Sequence, residues 1–328
     1  MQHLRDKLEN NQIGIYFATV ALAALAALTL PGTTALEFAV NPALAFMLFV
    51  TFLQVPLAEL GRAFTHTRFL GALLVTNFAV IPLLVAGLLP FVPGDPLIRL
   101  GVLLVLLAPC IDYVVTFSHL GRADARLLLA ATPVLLVVQM LMLPVYLRIL
   151  LGDSAAGLVQ PGPFIDAFVW LIAVPLLLAV ALQLWASRSP AGARASTVLG
   201  LLPVSATALV LFIVVASVLP QLGQARDAAL QVAPVYIAFA LLAPIAGWLV
   251  ARLFRLAPPA GRAVAFSGAT RNSLVVLPLA LAVPGAVPLL PAIIVTQTLV
   301  ELVAELVYVR ILPQLGDVKD KDADEVRH

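Results

Sequence analysis

A polytopic all-α membrane protein is the fold class this sequence predicts, and three observations predict it. Of 328 residues, 62% are apolar and 11% are charged, against about 45–50% and about 25% in soluble domains. A soluble chain of this size could not cover its core with so little polar surface. That excludes a soluble enzyme, a nucleic-acid partner and a disordered protein. Second, a membrane-crossing helix takes about 20 largely apolar residues, and the chain breaks into ten such runs. They lie at 13–30, 40–60, 69–89, 98–119, 125–147, 166–186, 196–219, 229–250, 263–282 and 288–309, bounded by Pro, Gly and charge. Third, the basic residues alternate between the connecting segments.

With the N-terminus inside, fifteen Lys and Arg fall on the inner side, among them Arg5, Lys7, Arg62, Arg68, Arg122 and Arg126. The outer loops hold only Arg99, Arg148 and Arg226. The positive-inside rule then predicts a multi-pass protein of the cell (inner or plasma) membrane with both termini in the cytoplasm. The first apolar run ends at Pro31-Gly32 without a small-residue cleavage site, so no removed signal peptide is expected.

An internal repeat divides the chain. At an offset of 162 residues, Tyr146-Leu-Arg148-Ile-Leu150 falls on Tyr308-Val-Arg310-Ile-Leu312. The same offset lays Pro82 on Pro244, Gln139 on Glu301 and Cys110 on Asn272. Each unit then has five spans, so the second is inverted in the membrane, an architecture common among secondary transporters. The expected organisation is a cytoplasmic N-terminus over 1–12, a first five-helix repeat over 13–150, an inverted second repeat over 151–315, and a charged cytoplasmic tail over 316–328.

Ionisable groups inside spans are costly and mark function. Asp112, Arg271, Glu301 and Glu305 qualify, whereas Glu37 and Glu59 lie near span ends. The fourth span reads Ala108-Pro109-Cys110-Ile-Asp112-Tyr113, and its proline breaks the helix just before the polar cluster. The ninth matches it with Ser267-Gly268-Ala-Thr270-Arg271-Asn272-Ser273. Interrupted helices at corresponding places in two halves point to a transport site. Pro109 and Gly268 are the expected breaks, and Cys110, Tyr113, Arg271, Asn272 and Ser273 the expected substrate contacts. Asp112 and Glu301 are the expected ion-coupling groups. Two readings of Arg271 remain open, an ion pair with Asp112 and a reach into an aqueous cavity. Glu301 and Glu305 share one face of the tenth span, where two carboxylates repel. Glu301 is the better proton carrier, because Glu305 can face cytoplasmic water near the inner end.

Cys110, the only thiol, rules out an internal disulfide and any CxxC metal motif. It reads either as a small apolar residue or as a soft ligand for a thiophilic metalloid. No cofactor or resident metal is expected. The absence of HExxH and Walker A motifs speaks against an intramembrane metalloprotease and an ATP-driven pump, leaving a transporter rather than an enzyme.

On Ala108-Pro109-Cys110, Phe117-Ser118-His119-Leu120 and Asp124, with Glu301 in a Leu-Val-Glu run, the chain resembles the arsenite-efflux permeases of the bile-acid/sodium-symporter superfamily. The resemblance implies ten spans in inverted five-span repeats, with broken helices 4 and 9 crossing. It also implies a core of spans 2–5 and 7–10 beside a panel of spans 1 and 6. Cys110 would handle arsenite, exchanged against protons. Two departures stand out. Leu274 occupies the place of the ninth-span acid of those permeases. Ser267 and Arg271 stand where the sodium-coupled branch carries a Glu and a Gln, which implies a lost sodium site. The leading expectation is therefore arsenite or metalloid-oxyanion efflux by proton antiport. The alternative is transport of an organic anion, with protons favoured over sodium as the coupled ion.

Overall fold

The computed structural model describes residues 2–54, 66–111, 113–152, 162, 165–166, 169–281, 283, 285–286 and 288–316. Among these, regular structure is helical, and the one extended pairing is an isolated antiparallel bridge between Pro109 and Arg271.

Helix α1 (Gln2–Thr29) stops at Pro31-Gly32, where Gly32 takes φ +82°, a conformation glycine adopts without strain. A 3₁₀ turn over Thr33–Ala39 leads into α2 (Val40–Phe52). Helix α3 (Thr67–Phe91) contains a π turn at Thr76–Val80. Pro82 follows it, and lacking an N–H it leaves the Phe78 carbonyl without its helical donor. Helix α4 (Pro96–Leu106) is capped by Asp95, whose carboxylate accepts from the N–H groups of Leu97 and Ile98. The chain then unwinds and resumes as α5 (Tyr113–Leu120). Asp124 caps α6 (Ala125–Leu151) through the N–H of Leu127. The acid ending the permease-like motif thus has a local structural task.

The second half holds α7 (Val174–Ala186), α8 (Pro190–Leu199), α9 (Pro203–Val218) and α10 (Leu222–Leu253). After these come α11 (Pro258–Ala269), α12 (Ser273–Leu281) and α13 (Leu289–Ile311). Seven helices are long and apolar enough to cross a membrane, or eight when α8 and α9, bent by 45°, count as one span. The half-helices α4, α5, α11 and α12 lie outside that count because each is too short to cross a membrane by itself. Leu28, Leu83, Leu177, Leu241 and Leu253 are exposed on the outer surface, as helices facing lipid require.

Packing sorts the helices into two groups. In one, α1 packs on α9, α9 on α2, and α7 on both α2 and α8. In the other, α10 packs on α11, α13 and α3, while α6 packs on α4, α5 and α11. This corrects one expectation: the second and seventh spans side with the first and sixth, not with the crossing helices. The expected second span over 40–60 also shifts, since the helical path runs over 33–52, and 55–65 lie outside the described residues.

One bond recurs in both halves. The Tyr146 hydroxyl donates to the Phe78 carbonyl at 2.6 Å, filling the vacancy that Pro82 creates one turn on. The Tyr308 hydroxyl donates to the Ala240 carbonyl, four residues before Pro244. Each proline frees an acceptor in an apolar layer, and each tyrosine supplies the missing donor.

Candidate functional site

The two unwound segments meet at the bridge. The Cys110 N–H donates to the Thr270 carbonyl at 3.1 Å, and the Asn272 N–H donates to the Ala108 carbonyl at 2.7 Å. A shift of 162 residues, the separation of Pro109 and Arg271, turns each bond into the other. Backbone unwound in hydrocarbon is tolerated only when such partners exist, so each break satisfies the other. The second break falls at 270–272, after Ala269. Gly268, the expected break, sits inside α11 as a close-packing position, where an added Cβ would lie 3.0 Å from the Thr76 side chain.

Arg271 is fully buried. Its guanidinium reaches four oxygens: the Leu106 carbonyl at 3.4 Å, Asn77 Oδ1 at 2.9 Å, the Gly268 carbonyl at 2.8 Å, and the Ser267 carbonyl. Its carbon Cζ stands 5.6 Å from the centre of the Phe239 ring, within cation–π range. Asn77, on the π turn, also donates to Ser267 Oγ at 2.9 Å and to the Leu73 carbonyl at 3.1 Å. Sequence reasoning missed Asn77, although a lone amide in the apolar run 69–89 was a usable signal.

Glu301 is held by three donors. Tyr113 Oη donates to Oε1 at 2.6 Å, while the Arg271 backbone N–H at 2.7 Å and Gln297 Nε2 at 2.5 Å donate to Oε2. Glu301 thus binds the main chain of Arg271 and not its guanidinium. Glu305, expected near cytoplasmic water, is fully buried. Its Oε1 lies 2.6 Å from Thr270 Oγ1, which is also 2.8 Å from the Phe266 carbonyl. Its Oε2 has no hydrogen-bond partner. Asn272 Oδ1 accepts from the Val275 N–H at 3.2 Å, and its Nδ2, like Ser273 Oγ, has no partner. Asp112 lies outside the described residues, so the expected ion pair with Arg271 lies outside them too. Among the described residues, the four hydrogen-bond acceptors of the guanidinium are neutral oxygens.

Beside the crossing lies a cavity of about 370 Å³ at the seam between the two helix groups. Its lining comes from α1 (Gln12, Tyr16), α2 and the residues after it (Thr51, Gln54), α5 (Tyr113, Thr116, His119), the start of α6 (Arg126) and the start of α9 (Thr207). The volume falls in the range of small-molecule sites, about 300–1,000 Å³. Among the described lining residues Arg126 is the one fixed charge and no Asp or Glu appears. Gln12 and Thr116 meet across it at 2.9 Å. Of the expected substrate contacts, Tyr113 lines this space, whereas Cys110, Arg271, Asn272 and Ser273 are not among its lining residues. Tyr113 therefore belongs to both places: its ring borders the cavity and its hydroxyl holds Glu301. Among the described residues no cluster of His, Cys, Asp or Glu could hold a metal ion.

No curated protein matches the chain. The sodium bile acid symporter family matches residues 41–227, more than half of the sequence. That stretch carries the first unwound segment and most of the cavity lining, while Arg271, Glu301 and Glu305 lie beyond it. Membrane-crossing helices, a break stabilised across two half-helix pairs and this match together place the protein among transporters: the chain belongs to the sodium bile acid symporter family.

Proposed function

We propose that this protein is a secondary transporter of a small organic anion, with a proton rather than sodium as its coupled ion. The observation that carries the reading is the cavity, lined by Gln, Thr, Tyr and His side chains, supplied with Arg126, without a carboxylate among its described lining residues, and joined to the crossing through Tyr113. Alternating access then consists of the α1/α2/α7/α8/α9 group moving against the group that holds the crossing, around that seam. The two interrupted helices are read as the remaining membrane spans, giving ten spans in two inverted five-span repeats. The exchangeable backbone bonds at the bridge and the two tyrosine–carbonyl bonds support that reading. With the termini inside, as the distribution of Lys and Arg favours, the cavity opens toward the cytoplasm.

Glu305 supports the proton. One hydroxyl hydrogen on Thr270 cannot serve both the Phe266 carbonyl and Glu305 Oε1. A proton on Glu305, donated to Thr270 Oγ1, resolves the conflict and leaves no anion without partners. Glu301, with three donors, reads as a fixed anion that positions Tyr113. The metalloid reading rests on Cys110, which is fully buried and does not line the cavity, so the organic-anion reading has the stronger support.

Uptake into inside-out vesicles tests this. Radiolabelled carboxylates, sulfonates and arsenite are compared with and without an imposed pH gradient, in sodium and in choline media. The expected result is uptake of an organic anion that responds to the pH gradient, ignores sodium, and falls about tenfold or more in Arg126→Gln. Arsenite uptake abolished by Cys110→Ser, with no organic anion carried, would sink the proposal.

A further inference from the structure

We infer that the substrate is a compact hydroxylated carboxylate, its charge held by Arg126 from one helix group and its hydroxyls read by Thr51 and Thr207 from the other. This deepens the organic-anion reading and rests on it. The two groups bring different chemistry to the cavity. Arg126 and His119 come from α6 and α5, in the group that holds the crossing. Gln12, Thr51 and Thr207 come from α1, α2 and α9, in the other group, and all three are neutral.

A threonine in an apolar helix can satisfy its hydroxyl on a carbonyl one turn back. Thr29, Thr197, Thr296 and Thr298 do so, each on the carbonyl four residues earlier. For Thr51 and Thr207 those carbonyls belong to Met47 and Pro203, inside the same helices. Neither hydroxyl takes that bond, and neither has another hydrogen-bond partner among the described residues. Yet Thr51 is only 7% and Thr207 only 4% exposed, and both line the cavity. Gln12, also buried, accepts from the Thr116 hydroxyl through Oε1, which leaves its amide nitrogen without a partner among the described residues. Buried polar groups are ordinarily satisfied, so these side chains keep bonding capacity that the fold does not use. A substrate hydroxyl both donates and accepts, as a threonine hydroxyl does, and it reproduces the bonds of any water it displaces. An apolar acid displaces that water without replacing its bonds, at about tenfold in affinity for each group left unmet. The volume of about 370 Å³ lies near the lower end of small-molecule sites and suits a short-chain acid. With charge on one group and hydroxyl-reading side chains on the other, only a ligand carrying both kinds of group is clasped across the seam.

Calorimetry on the purified full-length protein tests this with three pairs of carboxylates of equal carbon number: glycerate with propionate, threonate with butyrate, and gluconate with hexanoate. In at least one pair the hydroxylated acid is expected to bind tenfold or more tightly than its plain partner, because a site built for hydroxyls rejects an analogue lacking them. Thr51→Val and Thr207→Val, which keep the shape and remove the hydroxyl, should each narrow that ratio about tenfold. Arg126→Gln should weaken both members of the pair. The wild-type comparison needs no variant to fold. Plain acids that bind as tightly as hydroxylated ones in every pair overturn the inference and leave the organic-anion reading standing. A preference that survives both valine variants does the same. Binding of none of the six acids also overturns it, and the uptake experiment then judges the organic-anion reading by itself.

Discussion

The two unwound segments share a backbone and differ in everything attached to it. At equivalent places stand Pro109 and Arg271, Cys110 and Asn272, Tyr113 and Val275, Gln139 and Glu301. In the second half the Arg271 N–H needs an acceptor, and Glu301 provides one at 2.7 Å. In the first half Pro109 has no N–H to offer. Gln139, where Glu301 has its counterpart, is buried with both amide atoms unpartnered. The missing hydrogen of one proline thus removes the need for an acid on the next membrane span. Symmetry is kept where the main chain requires it and abandoned where chemistry is done.

Breaking the charged half should cost most. Glu301→Ala strands the Arg271 N–H and the Gln297 amide and leaves the Tyr113 hydroxyl only the Arg271 carbonyl, at 3.2 Å, each unmet buried group costing about 1–3 kcal/mol. That total approaches the stability of a typical domain, so little folded protein is expected in detergent by size-exclusion chromatography. Glu305→Gln is expected to keep the fold, because the amide can still donate to Thr270. Its effect falls on transport: uptake no longer responds to a pH gradient, and unchanged pH-driven uptake would remove Glu305 from the mechanism. Tyr146→Phe and Tyr308→Phe test what the halves have in common. Each leaves one carbonyl freed by proline without a donor, for a loss of about 1 kcal/mol. The two losses should be similar and additive in thermal melts, since the sites share no partner. At the quiet end, Gln139→Leu should leave stability unchanged or raise it by about 1 kcal/mol, because it removes two unmet polar atoms. A large loss there would mean that the first half, too, has a polar partner for this position.

Much of this was legible in the chain. Pro109 and Arg271 stand out in apolar runs, and the offset that aligns the two tyrosines also aligns the bridging residues. Other parts were not legible, for physical reasons. Asn77 and Ser267 meet across 190 residues, and no local pattern announces a contact set by how two helices lie together. The resemblance implies the second and seventh spans in the core, whereas they pack with the first and sixth; helix packing follows the shape of faces, about which composition in so apolar a chain says almost nothing. Glu305 looked like a residue near a water-exposed end. Its burial depends on Thr270, which is placed by a break at 270–272 rather than at Gly268. Asp112 keeps its sequence-based expectation as an ion-coupling group, to be tested by Asp112→Asn in the same uptake assay.

The bridge between the breaks has a consequence for anyone wishing to redesign this protein. Its two hydrogen bonds are made by main-chain atoms, and the side chains on either side of it already range from proline and thiol to amide and guanidinium. A junction held that way keeps its two backbone bonds whatever side chains flank it, so a redesign can leave the crossing's main-chain register alone and need only give each new buried polar group a partner.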